Sequence, residues 1–137
     1  MKRILQFTII CLTAVISNAC QRETVQFDEY VFAIQLVNDP IKIQEYIAHH
    51  KTVWPEVEAG FRKAGYTSIR LYRFENYVTM VIKVPRGTDI RKIATNEALN
   101  TEKIKAWNKL MATYQQGLPG AGTWVAMDKL YEFQNPK

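Results

Sequence analysis

Pro55 constrains this chain more than any other residue. It lies in the segment Glu45–Glu56, which reads Glu-Tyr-Ile-Ala-His-His-Lys-Thr-Val-Trp-Pro-Glu. A proline inside a helix removes a hydrogen bond and clashes with the preceding turn, but at the first helical position its missing N–H costs nothing. The segment therefore divides into the end of one helix and the start of the next, with Trp54 at the corner. Tyr46 and His50 stand four residues apart, on one helical face and one turn from each other. A phenol and an imidazole held just before a fixed corner are groups suited to proton transfer near neutral pH.

The flanking segments supply a fold. From Tyr30 to Val37 the chain is apolar and β-branched, with Phe32, Ile34 and Leu36 alternating, which predicts a strand. Asn38-Asp39-Pro40 makes a turn that caps a helix over Ile41–Lys51. The second helix runs from Pro55 to Ala64 and stops at Gly65. Thr67–Phe74 and Tyr77–Val84 then read as two strands of a hairpin closed by Glu75-Asn76. A short helix is expected over Asp89–Thr95. A longer one follows from about Glu97 to Gln116, with Ile104, Trp107, Leu110, Met111 and Tyr114 on one face. After the loop Gly117–Gly122, a last strand is expected over Thr123–Phe133. This order is the split βαβ, ferredoxin-like α+β arrangement, an antiparallel sheet with helices on one face. The other face is left apolar, and a symmetric homodimer, sheet against sheet, would cover it to give a dimeric α+β barrel.

Residues 1–19 resemble an export signal. Lys2 and Arg3 precede an apolar run, Ile4–Ile16, that is shorter than the ~20 residues needed to span a bilayer. Ser17-Asn18-Ala19-Cys20 resembles a bacterial lipoprotein site, although the leucine usual three residues before the cysteine is Ser17. The expected organisation is a signal at 1–19, a tether at 20–28 with Cys20 lipidated, and one domain at 29–137; the alternative is ordinary cleavage nearby with Cys20 left free. That placement implies export to the periplasm or outer membrane, with membrane attachment only through the lipid. Cys11 would leave with the signal, so no internal disulfide pair remains. Without Lys2 and Arg3, the 18 basic residues fall to 16 against 13 acidic ones, an excess too small and too scattered to suggest nucleic acid.

Tyr46, His50 and Trp54-Pro55-Glu56 together resemble the mark of the L-rhamnose mutarotase family: a tyrosine, a histidine four on, and Trp-Pro-Glu beginning four after that. The likeness continues through Gly65, the hairpin with Tyr72 and Met80, and the helix holding Trp107 and Met111, covering about Glu29 to Phe133. It implies a small ferredoxin-like dimer that interconverts the α and β anomers of a free sugar without a cofactor. By resemblance His50 is the catalytic proton donor, Tyr46 a substrate-binding tyrosine, and Trp107 the first of two adjacent tryptophans that line the sugar site. The second of these is Asn108 here, whose amide suits either a sugar hydroxyl or an ordinary place at the surface. A further sugar-binding tyrosine of the family aligns with Ile69. The family is usually cytoplasmic, unlike a lipid-anchored chain. The altered wall bears on which sugar is bound more than on the chemistry.

A histidine of ordinary pKa, about 6.5, suits a reaction that moves one proton between the anomeric hydroxyl and the ring oxygen. His49 points about 100° away around the helix and is expected to be solvated. Adjacent histidines on a helix do not converge on one ion, and no cysteine or carboxylate cluster completes a metal set. The Gly117–Gly122 loop lacks the Lys and Ser/Thr of a phosphate cradle. Two other readings fit the scaffold: a non-catalytic sugar-binding or structural lipoprotein, supported by the changes at Ile69 and Asn108, and a monooxygenase by fold analogy.

Overall fold

The computed structural model describes residues 26–135. The signal segment, Cys20 and most of the tether lie outside the described residues. Four strands form one antiparallel sheet in the order β2-β3-β1-β4. They are β1 (Phe27–Gln35), β2 (Ser68–Phe74), β3 (Tyr77–Pro85) and β4 (Val125–Met127). The helices are α1 (Pro40–Lys51), α2 (Pro55–Ala64), α3 (Ile90–Ala94) and α4 (Glu102–Ala112). The ferredoxin-like α+β arrangement expected from the element order is the one observed. No helix among the described residues is long and apolar enough to cross a membrane.

Local chemistry accounts for the element ends. Asp39 caps α1, its carboxylate accepting from the N–H groups of Ile41 at 2.8 Å and Lys42 at 3.3 Å, with Pro40 at the first helical position. Helix α2 starts at Pro55 and ends at Gly65, whose φ of 101° only glycine adopts readily. Two elements depart from the sequence expectation. The long helix begins at Glu102, because Asn96 caps a separate 3₁₀ turn at Glu97–Leu99 and Thr101 then caps α4 through Ile104 N–H. Short polar side chains compete locally for backbone donors, and here they divide the run. The last strand keeps only three residues, paired with Val31–Ala33 at the edge of the sheet. Beyond it Leu130, Tyr131 and Phe133 are exposed, Leu130 at 95%.

Alternation along the strands separates two faces. Ile34, Leu36, Val78, Ile82 and Val84 are buried beneath the helices. Their neighbours in sequence face the other way: Val31 pairs with Val81 and Met127, and Tyr72 with Thr79. Among the described residues no helix covers that second face, and Tyr72, Tyr77 and Met127 on it are exposed.

Helices α2 and α4 approach closely at Gly60, where an added Cβ would press into the Ile104 side chain and stand 3.0 Å from the Ala98 carbonyl oxygen. Gly60→Val should therefore lower stability by about 1–3 kcal/mol, the usual cost of overpacking. Urea unfolding of this variant beside wild type measures it, and an unchanged midpoint would contradict so tight a contact.

Candidate functional site

The C-terminal turn of α1 lies against α4 and the segment after it. Two backbone hydrogen bonds bring that segment back to the end of β1: Val37 N–H donates to the Tyr114 carbonyl at 2.9 Å, and Gln116 N–H to the Gln35 carbonyl at 3.0 Å. Tyr114 is thereby set beside α1, and Trp107, two turns earlier, beneath it. Tyr46, Trp107, Tyr114, Ile34, Leu36 and Val57 belong to one buried cluster, with Trp54 packed against it. Trp107 is the centre of an aromatic group. Its indole lies 5.4 Å from the Trp54 ring at 69°, 5.5 Å from His50 at 71° and 6.3 Å from His49 at 85°.

His50 folds back on its own helix. Its ring stands 4.2 Å from the Tyr46 ring, and Nδ1 lies 2.9 Å from the Tyr46 backbone carbonyl oxygen. A carbonyl oxygen accepts and cannot donate, so Nδ1 carries the hydrogen and the Nε2 lone pair of the neutral ring is left free. Burial lowers the His50 pKa below its ordinary value; the Tyr46 carbonyl opposes this, and the nearby charge of His49 adds to it. Near neutral pH the ring is mostly unprotonated, with Nε2 as its basic atom. Burial pushes the Tyr46 phenol up to about 12, with the Gln115 side chain acting in the other direction. That hydroxyl therefore remains a donor throughout the neutral range.

The structure corrects the expectation for His49. It is half-buried rather than solvated, and its Nε2 lies 3.1 Å from the Tyr114 hydroxyl, with ring centroids 5.7 Å apart. Two residues one step apart on a helix both reach Trp107 because its indole lies between their directions. Nothing in the α1 pattern announces this, because Tyr114 is 65 residues further along the chain.

Of the residues that the motif singled out, Tyr46, His50 and Trp107 come together. Tyr46 at 4% exposure and Trp107 at 5% form a floor, with the half-buried His50 above it. Asn108 is exposed on the next position of α4. Ile69 packs in a second cluster with Ala64, Ile82, Val84 and Ile93. Two open clefts lie elsewhere, one of about 550 Å³ beside Lys83, Arg86 and Lys129, the other of about 600 Å³ beside Asn38, Arg73 and Gln116. Neither is lined by His49, His50 or Trp107. Chemistry rather than size singles out the aromatic site. Among the described residues no group of three His, Cys, Asp or Glu is placed to hold a metal ion.

Comparison with known proteins follows the same stretch of chain. A model of the L-rhamnose mutarotase family matches residues 29–133. An L-fucose mutarotase of Xanthomonas campestris is 30% identical over 92 residues, covering 66% of this chain and 73% of that protein. The crystal structure of an L-rhamnose mutarotase from Formosa agariphila superposes with a TM-score of 0.58 at 19% identity, covering 78% of this chain and 99% of that one. A Bacteroides thetaiotaomicron structure described as an antibiotic biosynthesis monooxygenase gives 0.50 at 17% identity, covering 82% and 95%. At these identities the two structural likenesses bear on the fold alone.

The direction of the His50 shift has a consequence for stability. Its folded pKa lies below the unfolded value of about 6.5, so between the two the unfolded chain binds more protons. Stability held above about pH 6.5 should decline as pH falls through the folded pKa. Urea midpoints taken between about pH 7.5 and 5 should fall more steeply in wild type than in His50→Gln. Parallel curves would contradict the buried, neutral imidazole.

Proposed function

The chain belongs to the L-rhamnose mutarotase family, and on that premise we propose that it interconverts the α and β anomers of L-rhamnose or a related deoxyhexose, with His50 carrying the proton. One observation supports this reading above the others: Nδ1 of His50 is committed to the Tyr46 carbonyl at 2.9 Å, which leaves Nε2 as the exchangeable site. Ring opening moves one proton from the anomeric hydroxyl to the ring oxygen as the C1–O5 bond breaks. Nε2 takes that proton from O1 and returns it to O5. The C1–C2 bond then turns, and the reverse transfer closes the ring on the other face. No proton is gained or lost overall, and no cofactor enters the cycle.

The remaining roles follow the family pattern. Trp107 forms the floor on which the C–H face of the sugar rests, Tyr46 donates its hydroxyl to the sugar, and Asn108 offers its amide to a hydroxyl from the neighbouring exposed position. The replacement of a family tyrosine by Ile69 and of a tryptophan by Asn108 changes the wall, so the preferred sugar is a question for a panel. The L-fucose mutarotase relative makes a 6-deoxyhexose the first choice.

We propose also that the protein works as a homodimer. The uncovered sheet face around Val31, Val81 and Met127, and the arm carrying Leu130, Tyr131 and Phe133, leave apolar surface exposed that a second copy would bury. Val81→Arg, checked by sedimentation, should give monomers; a dimer unaffected by it would place the interface elsewhere. Export and lipidation at Cys20 are read from the Lys2-Arg3, apolar-run and Ala19-Cys20 pattern. Mass spectrometry of the mature N-terminus tests that placement, and an unmodified Met1 would overturn it.

Anomer exchange measured by saturation-transfer NMR on equilibrated aldoses is the direct test of activity. Acceleration is expected for L-rhamnose or L-fucose, with the rate falling as pH drops through the depressed His50 pKa. His50→Asn should lose on the order of 10²-fold or more while keeping the fold. Tyr46→Phe should lose less, about one hydrogen bond's worth, on the order of 1 kcal/mol. Folded wild-type protein that accelerates no aldose would end this reading.

A further inference from the structure

We propose that His49 and Tyr114 form a positioning pair for the reaction, bonded across the gap between α1 and the segment after α4 so that His50 is held over Trp107. The inference rests on His50 as the proton carrier and assigns work to a second histidine that the family motif leaves without a role.

Four observations carry it. The His49 Nε2 to Tyr114 hydroxyl distance of 3.1 Å joins residues 65 apart in the chain, on a tyrosine that is only 7% exposed. The two histidine rings approach the same indole, at 6.3 and 5.5 Å, so a movement of one is felt by the surface that supports the other. Tyr114 also meets Tyr46 edge-on at 6.1 Å and 70°, and Tyr46 supplies the carbonyl that orients His50. The His49–Tyr114 bond ties the last turn of α1 to the far segment, and the links from Tyr46 to Gln115 and from Glu45 to Tyr114 tie the turn before it. Finally, the charge of His49 disfavours the proton on His50, which keeps His50 unprotonated to lower pH.

The titratable groups around the pair are few. Glu45 and Tyr46 face it from α1, and Glu45 adds to the burial that raises the Tyr114 phenol. Lys51, next to His50, is exposed. From α4 the contact is Trp107, against which Trp54 packs in turn, and neither indole titrates. A hydroxyl hydrogen-bonded to His49 with a carboxylate nearby can accept from a charged imidazole or donate to a neutral one.

Bond and charge are separable by substitution. His49→Gln keeps a polar end group for the Tyr114 hydroxyl but removes the charge; Tyr114→Phe keeps the ring but removes the bond; His49→Ala removes both. With L-rhamnose or L-fucose as substrate, Tyr114→Phe and His49→Ala should each lower kcat by about five-fold, with KM little changed. The double variant should fall no further than Tyr114→Phe, because the His49 bond is already lost in that variant. His49→Gln should retain wild-type kcat at its plateau while the acidic limb of the pH profile moves to higher pH. The same shift is read without any sugar, as a rise in the His50 pKa followed by NMR of the imidazole C–H signals in His49→Gln. That titration judges the pair even if wild type proves inactive on every aldose, an outcome that would remove only the mutarotase reading. An unmoved His50 titration, wild-type kcat in His49→Ala, or fully additive losses in the double variant would each overturn the proposal.

Discussion

The burial of one indole organises this molecule. Trp107 is 5% exposed and touches elements far apart in sequence: the end of α1 through His49 and His50, and the corner before α2 through Trp54. Burying a tryptophan removes roughly 150–250 Å² from water, on the order of 4–6 kcal/mol at ~25 cal/mol per Å². That is a large share of the stability of a small domain. The same contact that holds the helices together sets the distance between the imidazoles and an apolar floor. In this chain the stabilising core and the candidate site are one cluster, so the site can hardly be rebuilt without altering the fold.

The sheet determines where that cluster forms. Its strands bury Ile34, Leu36, Val78 and Val84 under the helices, and the pairing of residues 35 to 37 with the segment after α4 fixes the distance between Tyr114 and α1. Helix α1 ends in His49, His50 and Lys51, where positive charge is favoured by the exposed carbonyls of the last turn. Burial of His50 opposes that preference and prevails, since its pKa is lowered. The outcome is an imidazole that is basic at one defined atom and still neutral under mild conditions.

Much of this was legible in the sequence wherever the cause was local. Pro55 and Gly65 bound α2 at both ends, Asp39 and Pro40 start α1, and Glu75-Asn76 closes the hairpin, each through backbone chemistry confined to a few residues. The i to i+4 spacing of Tyr46 and His50 placed both on one face. It did not show that the bond between them uses the Tyr46 carbonyl, because periodicity speaks of side chains alone. The last strand is shorter than its pattern suggests, since a strand needs a neighbour and β1 pairs with only three of its residues. His49 departs from the helical-wheel expectation for a similar reason: its partner arrives from 65 residues away by way of the sheet. Helical angles alone could not foresee an indole broad enough to meet two successive residues.

The central claim is that the Tyr46 carbonyl fixes His50 with its hydrogen on Nδ1 and leaves Nε2 free to move a proton. Nitrogen-15 NMR of the selectively labelled imidazoles above the His50 pKa reads this directly, since protonated and unprotonated ring nitrogens resonate far apart. The account predicts a His50 ring protonated at Nδ1, with the Nε2 resonance alone shifting when L-rhamnose or L-fucose is added. A ring carrying its hydrogen on Nε2, or one whose nitrogens ignore both sugars, would contradict it.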